Sequence, residues 1–527
     1  YVQNAVSQMD FYQMQLAVEA LFEREHVLTS ARHISRQIPT LTPCYEYWEV
    51  PYIWLGMKAY DLLAFCCGSS LPGAHFAGKA QIERGLPVLA HVQPQGATIK
   101  GGVVSHDGQF NDSRLCVAVA CSAAMSGATV ANYVKVVSLL RDKEGVVRGA
   151  RCKDIISGRE FNVKAKTVIN ATGVSPKVIR TLGNKDASKT AKMLGTRQTH
   201  VTLPEYYSGG SMGLVVPGPD NQKLFLLPWE GSTIVGSCQQ PSEVSARPVA
   251  AETEVNSLLN AIQPYLALQV RKSDVMSSWA GVQPVMVSES AAEEAGEGDE
   301  KIVQTGEDNL ISVVGGMCPN YRRVAEVAVN KAIEIGGLQQ GASCSTYKKP
   351  LMGSAMWRPG ICAEMMQRTP PVPGVDLQTV AHLSATYGDH APCVLEIAAD
   401  KNLSKALANG HKVIEAEVVH ACQSEYCVKP SDFLARRSRL AFTDIRAAEA
   451  ALPRVVQLMG DTLNWGIWRR WKETWEARRY LQTFKCSHKI PLEPPAAAHT
   501  VSTAAPPVDT DVTAPTAPLA YPTPPSN

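Results

Sequence analysis

Lys166-Thr-Val-Ile-Asn-Ala-Thr-Gly173 and Asn309-Leu-Ile-Ser-Val-Val-Gly-Gly316 decide the fold. Each is an apolar run that closes on glycine, and each reads as a buried strand ending in a turn. Small residues after the first strand let backbone come close to a planar or phosphorylated ligand. After Gly315 and Gly316 an Ala/Val-rich helix is predicted from about Arg323 to Ile335. Free N–H groups then stand at a helix start, ready for an anion or a ligand carbonyl. Either turn alone is also readable as packing glycine. Together, with a β-rich stretch between them, they point to a cofactor site.

The sequence around them gives the domain type. Leu115 to Ser126 is an Ala-rich helix, with Asn111 or Asp112 as its N-cap and Gly127 as its stop. Thr129 to Leu140 is β-branched, Asp142 to Gly145 makes a hairpin turn, and Glu160 to Val163 follows a turn at Ser157-Gly158. Helix, hairpin and a strand running into glycine form an α/β nucleotide-binding domain with an antiparallel insert. Residues 195–285 alternate apolar and polar in strands and predict an antiparallel sheet domain. Gly102 begins a short strand and turn, and residues 377–482 are mostly helical in pattern. Residues 291–301 form an acidic, solvated loop. From about Ile490 a nearly uncharged Pro/Ala/Thr-rich tail has too little to bury and reads as disordered. Upstream, Gln8 to Ser30 has helical spacing, which Pro39 to Pro43 interrupts. Tyr45 to Phe65 is aromatic-rich, and residues 73–100 read as loop with short strands.

The 527 residues carry 51 Lys+Arg against 49 Asp+Glu, a formal net charge of +2. Proteins whose main work is holding nucleic acid carry a dense basic surface, so that class is excluded. Hydrophobic content of 45% against 19% charged suits a globular protein of several domains. The 14 cysteines are scattered, form no C-x-x-C and read as mostly reduced, buried thiols. No run of about 18 apolar residues occurs, so no helical membrane span is expected. The chain opens at Tyr1 with neither Met nor a charged-plus-apolar leader, and reads as a mature chain or a fragment.

Ordered stretches from Tyr1 to about Phe484 carry a family likeness. Among them are Gly108-Gln-Phe-Asn-Asp-Ser-Arg114, Val168-Ile-Asn-Ala-Thr-Gly173, His200 with Pro204-Glu-Tyr-Tyr-Ser208, and Leu227-Pro-Trp229 with Thr233-Ile-Val-Gly236. Trp279-Ala-Gly-Val-Gln-Pro284, Gly315-Gly316 with Tyr321-Arg322, and Arg436-Arg-Ser-Arg-Leu-Ala-Phe442 complete the set. In these the sequence resembles the FAD-dependent glycerol-3-phosphate dehydrogenases, above all the mitochondrial type. The resemblance implies an α/β fold: a glycine-oxidase-like FAD-binding domain, incomplete at the N-terminus, an antiparallel β substrate domain and a C-terminal helical domain. The implied divisions are 1–100 (remnant of the FAD domain and start of the substrate domain), 101–180 (FAD-binding domain), 181–290 (substrate domain), 291–345 (last strand and helix of the FAD domain), 346–485 (helical domain) and 486–527 (disordered tail). It also implies FAD as cofactor, oxidation of glycerol 3-phosphate to dihydroxyacetone phosphate, and a quinone as electron acceptor. The implied location is the mitochondrial inner membrane, by peripheral association or within a larger mitochondrial complex. Calcium is not expected, because no D-x-D-x-D-G loop occurs.

On this resemblance the cofactor-binding candidates are Val136, whose backbone would face an adenine ring, and Asn170, Ala171, Thr172, Gly173, Gly315, Gly316, Asn320 and Tyr321. His200 is the candidate general base or substrate contact; it reads equally as a histidine hydrogen-bonded within its sheet. Arg322, opening a helix, either meets a phosphate or pairs with Glu326 four residues on. The Tyr45 to Phe65 aromatics suit a bilayer interface or packing against the substrate domain. Trp468, Trp471 and Trp475 share a helical face among Arg469, Arg470, Lys472, Arg478 and Arg479. That face suits a partner or anionic lipid, or docking on its own domain.

The sequence departs from the family twice. No G-x-G-x-x-G occurs, since Gly296-Glu-Gly298 fails the spacing, and the motif is expected upstream of Tyr1. The family's Arg before the proline of the Trp279 segment is Gln283 here. Its Lys and threonines after the glycine pair are Met317, Cys318, Pro319 and Asn320; another family Arg is missing where this chain reads Gln304-Thr-Gly-Glu-Asp308, and an Asp is replaced by Gln239. Charge-assisted hydrogen bonds contribute roughly 1.5–3 kcal/mol each. Losing two or three amounts to about 3–9 kcal/mol, on the order of 10² to 10⁶ in binding or rate. The expectation is weak or lost activity on glycerol 3-phosphate, and the alternative is a pseudoenzyme: a non-catalytic structural or binding subunit derived from this enzyme.

Overall fold

The computed structural model describes residues 11–90, 96–173, 192–209, 212–218, 222–243, 245, 247–287, 303–306, 308–313, 316, 318–339, 341–368 and 372–486. The chain starts with α1 (Phe11–Ser30), β1 (Ser35–Cys44), α2 (Glu49–Cys66), β2 (His75–Ala77), α3 (Lys79–Gly85) and β3 (Gly101–Phe110). Then come α4 (Asp112–Met125), β4 (Val134–Arg141), β5 (Val147–Asp154), β6 (Glu160–Lys164) and β7 (Val168–Asn170). The next group is β8 (Lys192–Pro204), β9 (Gly213–Pro217), β10 (Lys223–Trp229), β11 (Ser232–Ser242), α5 (Glu252–Ile262) and β12 (Ser277–Val287). β13 (Val303–Thr305), β14 (Leu310–Val313) and α6 (Tyr321–Gly336) precede the helical part. That part holds α7 (Ile361–Arg368), α8 (Leu377–Tyr387), α9 (Ala391–Asp400), α10 (Glu415–Ser424), α11 (Ile445–Thr462) and α12 (Ile467–Leu481). The acidic stretch 291–301 and the tail from Ile490 lie outside the described residues.

The larger sheet has the order β12-β8-β11-β10-β9-β1-β3-β2. Its composition differs from the sequence expectation at one end. β1 runs through Pro39 and Pro43, and β3 is a ten-residue strand paired with it along its whole length, not a short strand and turn. The implied division at residue 101 therefore falls at the start of a strand of this sheet. β9 meets β1 only over Thr40 and Leu41, so the second edge of β1 makes few ladder bonds, which suits a strand holding two prolines. Leu41, Val104, Val201, Leu203, Leu226 and Val235 turn to one face, where Val255, Leu258 and Ile262 of α5 and Ile82 of α3 cover them. The alternation of period two makes that face apolar and leaves the other to His200 and Trp279.

The glycine-ended strands form a second sheet of order β13-β14-β7. β7 and β14 run parallel, Leu310 against Val168 and Ser312 against Asn170. α6 covers β13 and β14 through Val324, Ala328 and Ala332 packed on Val303 and Ile311. β7 is less buried than its sequence predicts, with Ile169 39% exposed, because among the described residues only β14 pairs with it. Asn111 caps α4 as predicted, its side chain accepting from the Arg114 N–H at 3.0 Å. The helical part has its own core, built on Leu383, Leu395, Val418, Phe433, Leu452 and Met459.

Candidate flavin and substrate site

The parallel register brings the carboxyl ends of β7 and β14 level, and each chain then turns on a glycine. Gly173 has φ +65° and Gly316 φ +91°, a region that suits glycine. Carboxyl ends of neighbouring parallel strands are where this type of sheet holds its ligand. Asn170 is buried and braces the first turn: its Oδ1 accepts from the Thr172 hydroxyl at 2.8 Å and the Thr172 N–H at 3.3 Å. Its Nδ2 donates to Ser312 Oγ on β14 at 3.4 Å. Ala171, Thr172 and Gly173 are exposed at the sheet end. Asn320, just before α6, is 8% exposed, and its Oδ1 has no hydrogen-bond partner among the described residues. Gly315 and Met317 lie outside the described residues.

α1 locks the second turn, a contact the sequence did not announce. Arg322 donates to Glu23 of α1 at 2.6 Å and to Glu326 at 2.9 Å, and its guanidinium lies 5.6 Å from the Tyr347 ring centre. The Glu326 pairing was one of the two sequence readings of Arg322. Beside it, His26 takes the Lys348 N–H on Nδ1 at 2.9 Å, so Nε2 carries the proton and faces the Tyr321 hydroxyl at 3.2 Å. Burial, then the charges of Arg322 and Lys348, lower the His26 pKa to about 4 and keep this ring neutral.

His200 sits on β8 between Gly236 of β11 and Trp279 of β12. Its ring stacks on Trp279 with centres 5.8 Å apart and an interplanar angle of 11°. A Cβ on Gly236 would lie 2.0 Å from His200 Cδ2, so only glycine leaves the ring this berth. Burial lowers the His200 pKa to about 4, and the imidazole is neutral at neutral pH. Two residues along, on the same face, Gln198 donates to the Gln283 carboxamide at 3.0 Å. Arg197 turns to the opposite face and meets Glu254 at 2.5 Å. Val136 lies elsewhere, half-buried on β4 opposite Cys152, in the third sheet.

Sequence reasoning missed the seam that joins the helical part to the rest. Arg439 is buried, pairs with Asp112 at the start of α4, and stands 4.9 Å from the Trp229 ring centre. Trp229 stacks on Trp279, and Phe442 meets Trp279 edge-on. Four of the quoted stretches thus converge here, although they are far apart in sequence. Their co-occurrence was the available signal.

Comparison with known proteins agrees with this architecture. The family described as FAD dependent oxidoreductase matches residues 7–316, and the C-terminal domain of alpha-glycerophosphate oxidase matches residues 344–470. The mitochondrial glycerol-3-phosphate dehydrogenase SDP6 of Arabidopsis thaliana is 37% identical over 92% of this chain and 78% of its own. The chain belongs to the FAD-dependent glycerol-3-phosphate dehydrogenase family. The human mitochondrial glycerol-3-phosphate dehydrogenase is 36% identical over 91% of this chain, which spans 66% of the human protein's length. The Bacillus halodurans glycerol-3-phosphate dehydrogenase complexed with FAD shares the fold at a TM-score of 0.71 and 22% identity, over 89% of this chain and 86% of that one. FAD is the cofactor of this family. The level strand ends, the exposed Ala171 to Gly173 backbone and the unpartnered Asn320 oxygen fit such a group.

Proposed function

We propose that this chain is a divergent glycerol-3-phosphate dehydrogenase that keeps the framework for FAD while turning over glycerol 3-phosphate weakly or not at all. The Gln198–Gln283 pair carries the reading: two neutral carboxamides occupy the face beside His200, where a dianionic phosphate calls for a guanidinium. Bound FAD would supply the hydride acceptor for C2 of the substrate, with a quinone as the final acceptor. The residues of the chain hold and orient. Asn170, Ala171, Thr172, Gly173, Gly315 and Gly316 would offer backbone, Asn320 its carboxamide oxygen, and Val136 its backbone toward adenine. Neutral His200 would accept the hydroxyl proton on a ring nitrogen while Trp279 fixes the ring plane. Arg322 and Tyr321 act in this reading as positioning residues, pinning the start of α6 to α1.

The names of the relatives support a mitochondrial location. Among the described residues no helix is long and apolar enough to cross a membrane. α2 supports attachment at the surface. It exposes Tyr52, Leu55, Leu62 and Phe65 by 66–77%, with Tyr47 and Trp48 just before it. Lys58 and Asp61 pair at 3.0 Å, and Glu49 accepts the Tyr45 and Glu46 N–H groups, so the helix turns engaged charges and bare apolar groups outward.

The test is a flavin absorbance spectrum of the purified full-length protein, followed by dye reduction with glycerol 3-phosphate. The expected result is turnover at least about 10²-fold below an active member assayed alongside. Rapid turnover by flavin-loaded protein would overturn the proposal. A colourless protein without turnover would favour the non-catalytic subunit.

A further inference from the structure

The strands that carry His200 and Trp279 are buttressed from the helical part. Thr202, on β8 and on the same face as His200, donates its hydroxyl to the Phe442 carbonyl at 2.8 Å. Ser277, on β12 and on the same face as Trp279, donates to the Ala441 carbonyl at 3.0 Å. These bonds tie the helical turn Leu440–Thr443 to the candidate base and its stacking partner. Arg439 enters that turn with φ +55°, a backbone region that non-glycine residues seldom occupy. Backbone outliers of this kind cluster at active sites and ligand clamps.

The side chain presented there is a buried cation that meets rings on one side. Nη2 of Arg439 donates to Asp112 of α4. Nε and Nη1 have no hydrogen-bond partner among the described residues, and the Glu230 carboxylate stands 3.8 Å from Nη1. Burial lowers the Arg439 pKa to about 10, so the group stays charged at neutral pH. Its guanidinium lies 4.9 Å from the Trp229 ring centre and 5.9 Å from that of Phe442, within cation–π range. Trp229 pairs with Ser232 across a two-residue turn, with Glu230 at φ +51° and Gly231 at φ +74°, which fixes the backbone beneath the indole. The rings then follow in layers. Trp229 lies on Trp279 at 5.6 Å and 30°, and Trp279 on His200 at 5.8 Å and 11°.

We propose that Arg439 is a positioning residue for His200: from the helical part it clamps the Trp229–Trp279 stack, and so holds the imidazole in its plane and limits its contact with water. The proposal rests on His200 as the base of the reaction proposed above, although its readout does not need that reaction. The neighbours of His200 across the sheet, Gly236 and Trp279, carry no charge. Burial lowers its pKa to about 4, and the Gln198 backbone opposes that shift. A loosened stack admits water to the ring, and the pKa then rises toward the ordinary histidine value.

The experiment follows histidine titration by NMR in the full chain, with isotope-labelled histidine and the His200 signal assigned by its loss in His200→Gln. Arg439→Met keeps much of the side-chain length and removes the cation; His200 should then titrate above about 5. Trp229→Leu removes the ring through which Arg439 acts and should give a similar rise, which keeps the test open if the Met variant fails to fold. Asp112→Asn breaks the ion pair across the seam while the guanidinium stays on Trp229, and His200 should remain near 4. His200 still titrating near 4 in either folded stack variant would overturn the proposal. So would an equal rise in Asp112→Asn, which would make Arg439 a fastener of the seam alone. Flavin content and turnover do not enter the readout, so failure here is distinct from failure of the proposed enzymology.

Discussion

Arg114 and Glu425 meet in two parallel hydrogen bonds, Nη1 to Oε2 at 2.7 Å and Nη2 to Oε1 at 2.6 Å, with both side chains shut away from water. The Tyr387 ring centre lies 4.7 Å from the same guanidinium. The pair ties α4 to the end of α10, and so the nucleotide-binding framework to the helical part. Breaking one side of a buried pair strands the other charge, which costs about 3–5 kcal/mol. Glu425→Gln should lower the unfolding free energy by that amount at pH 7, measured by urea titration.

The same pair sets an acid limit. Burial alone would raise the Glu425 pKa, but the charge and hydrogen bonds of Arg114 outweigh it and hold the group at about 2, against 4.5 for an ordinary glutamate. The unfolded chain therefore takes up a proton below pH 4.5 that the folded chain refuses. Stability from this group is complete above pH 4.5 and is lost as pH falls from there toward 2. In Glu425→Gln that limb of the pH profile should flatten. An unchanged limb would remove Glu425 as its source.

Two histidines act in a higher window. Burial first, then the charges of Arg322 and Lys348, lower His26 from 6.5 to about 4; burial, then Arg114, lower His33 to about 3. Both rings are at least nine-tenths covered, at 2 and 6% exposure. As pH falls below 6.5 the unfolded chain protonates first, so stability declines from pH 6.5 toward 4. At pH 5 each contributes a loss of about 2 kcal/mol. His26→Gln and His33→Gln should each reduce the slope of unfolding free energy against pH over that window. The slope is the diagnostic, since either change also shifts the absolute stability.

Gly236→Ala tests the berth of His200. The added methyl would meet the ring at 2.0 Å, so either the imidazole leaves Trp279 or the strands part. Overpacking of this kind costs about 1–3 kcal/mol. The expected signature is a lower melting temperature together with a His200 pKa moving up from about 4 toward 6.5, followed by NMR. A ring still titrating near 4 would show that the stack, and not the glycine, sets its environment.

What could be read in the sequence was what local rules fix. Asn111 as a cap, the helix after Gly316 and the turn at Asn170 to Gly173 depend on residues within a few positions of one another. β1 was hidden because proline rules speak against a strand, and only pairing with β3, some sixty residues on, makes it one. Arg322 divides the same way. Its bond to Glu326 follows from helical spacing, while its bond to Glu23 depends on where α1 docks. The Gly236–His200–Trp279 row is a matter of register across three strands, and register is set by the whole sheet rather than by any one of its strands.

Gln283 offers a direct test of the weak-turnover reading. It shares a sheet face with His200, is exposed, and gives its carboxamide oxygen to Gln198. Gln283→Arg puts a permanent cation where the family resemblance implies one, at a position with room for it. One charge-assisted hydrogen bond of about 1.5–3 kcal/mol should raise kcat/KM for glycerol 3-phosphate by roughly 10- to 100-fold in flavin-loaded protein. Gln283→Leu removes the same amide pair without adding charge and should leave kcat/KM where it was. Equal gains in both variants would mean that the amide pair obstructs the site. No gain in either would mean that this face is not where the phosphate is held.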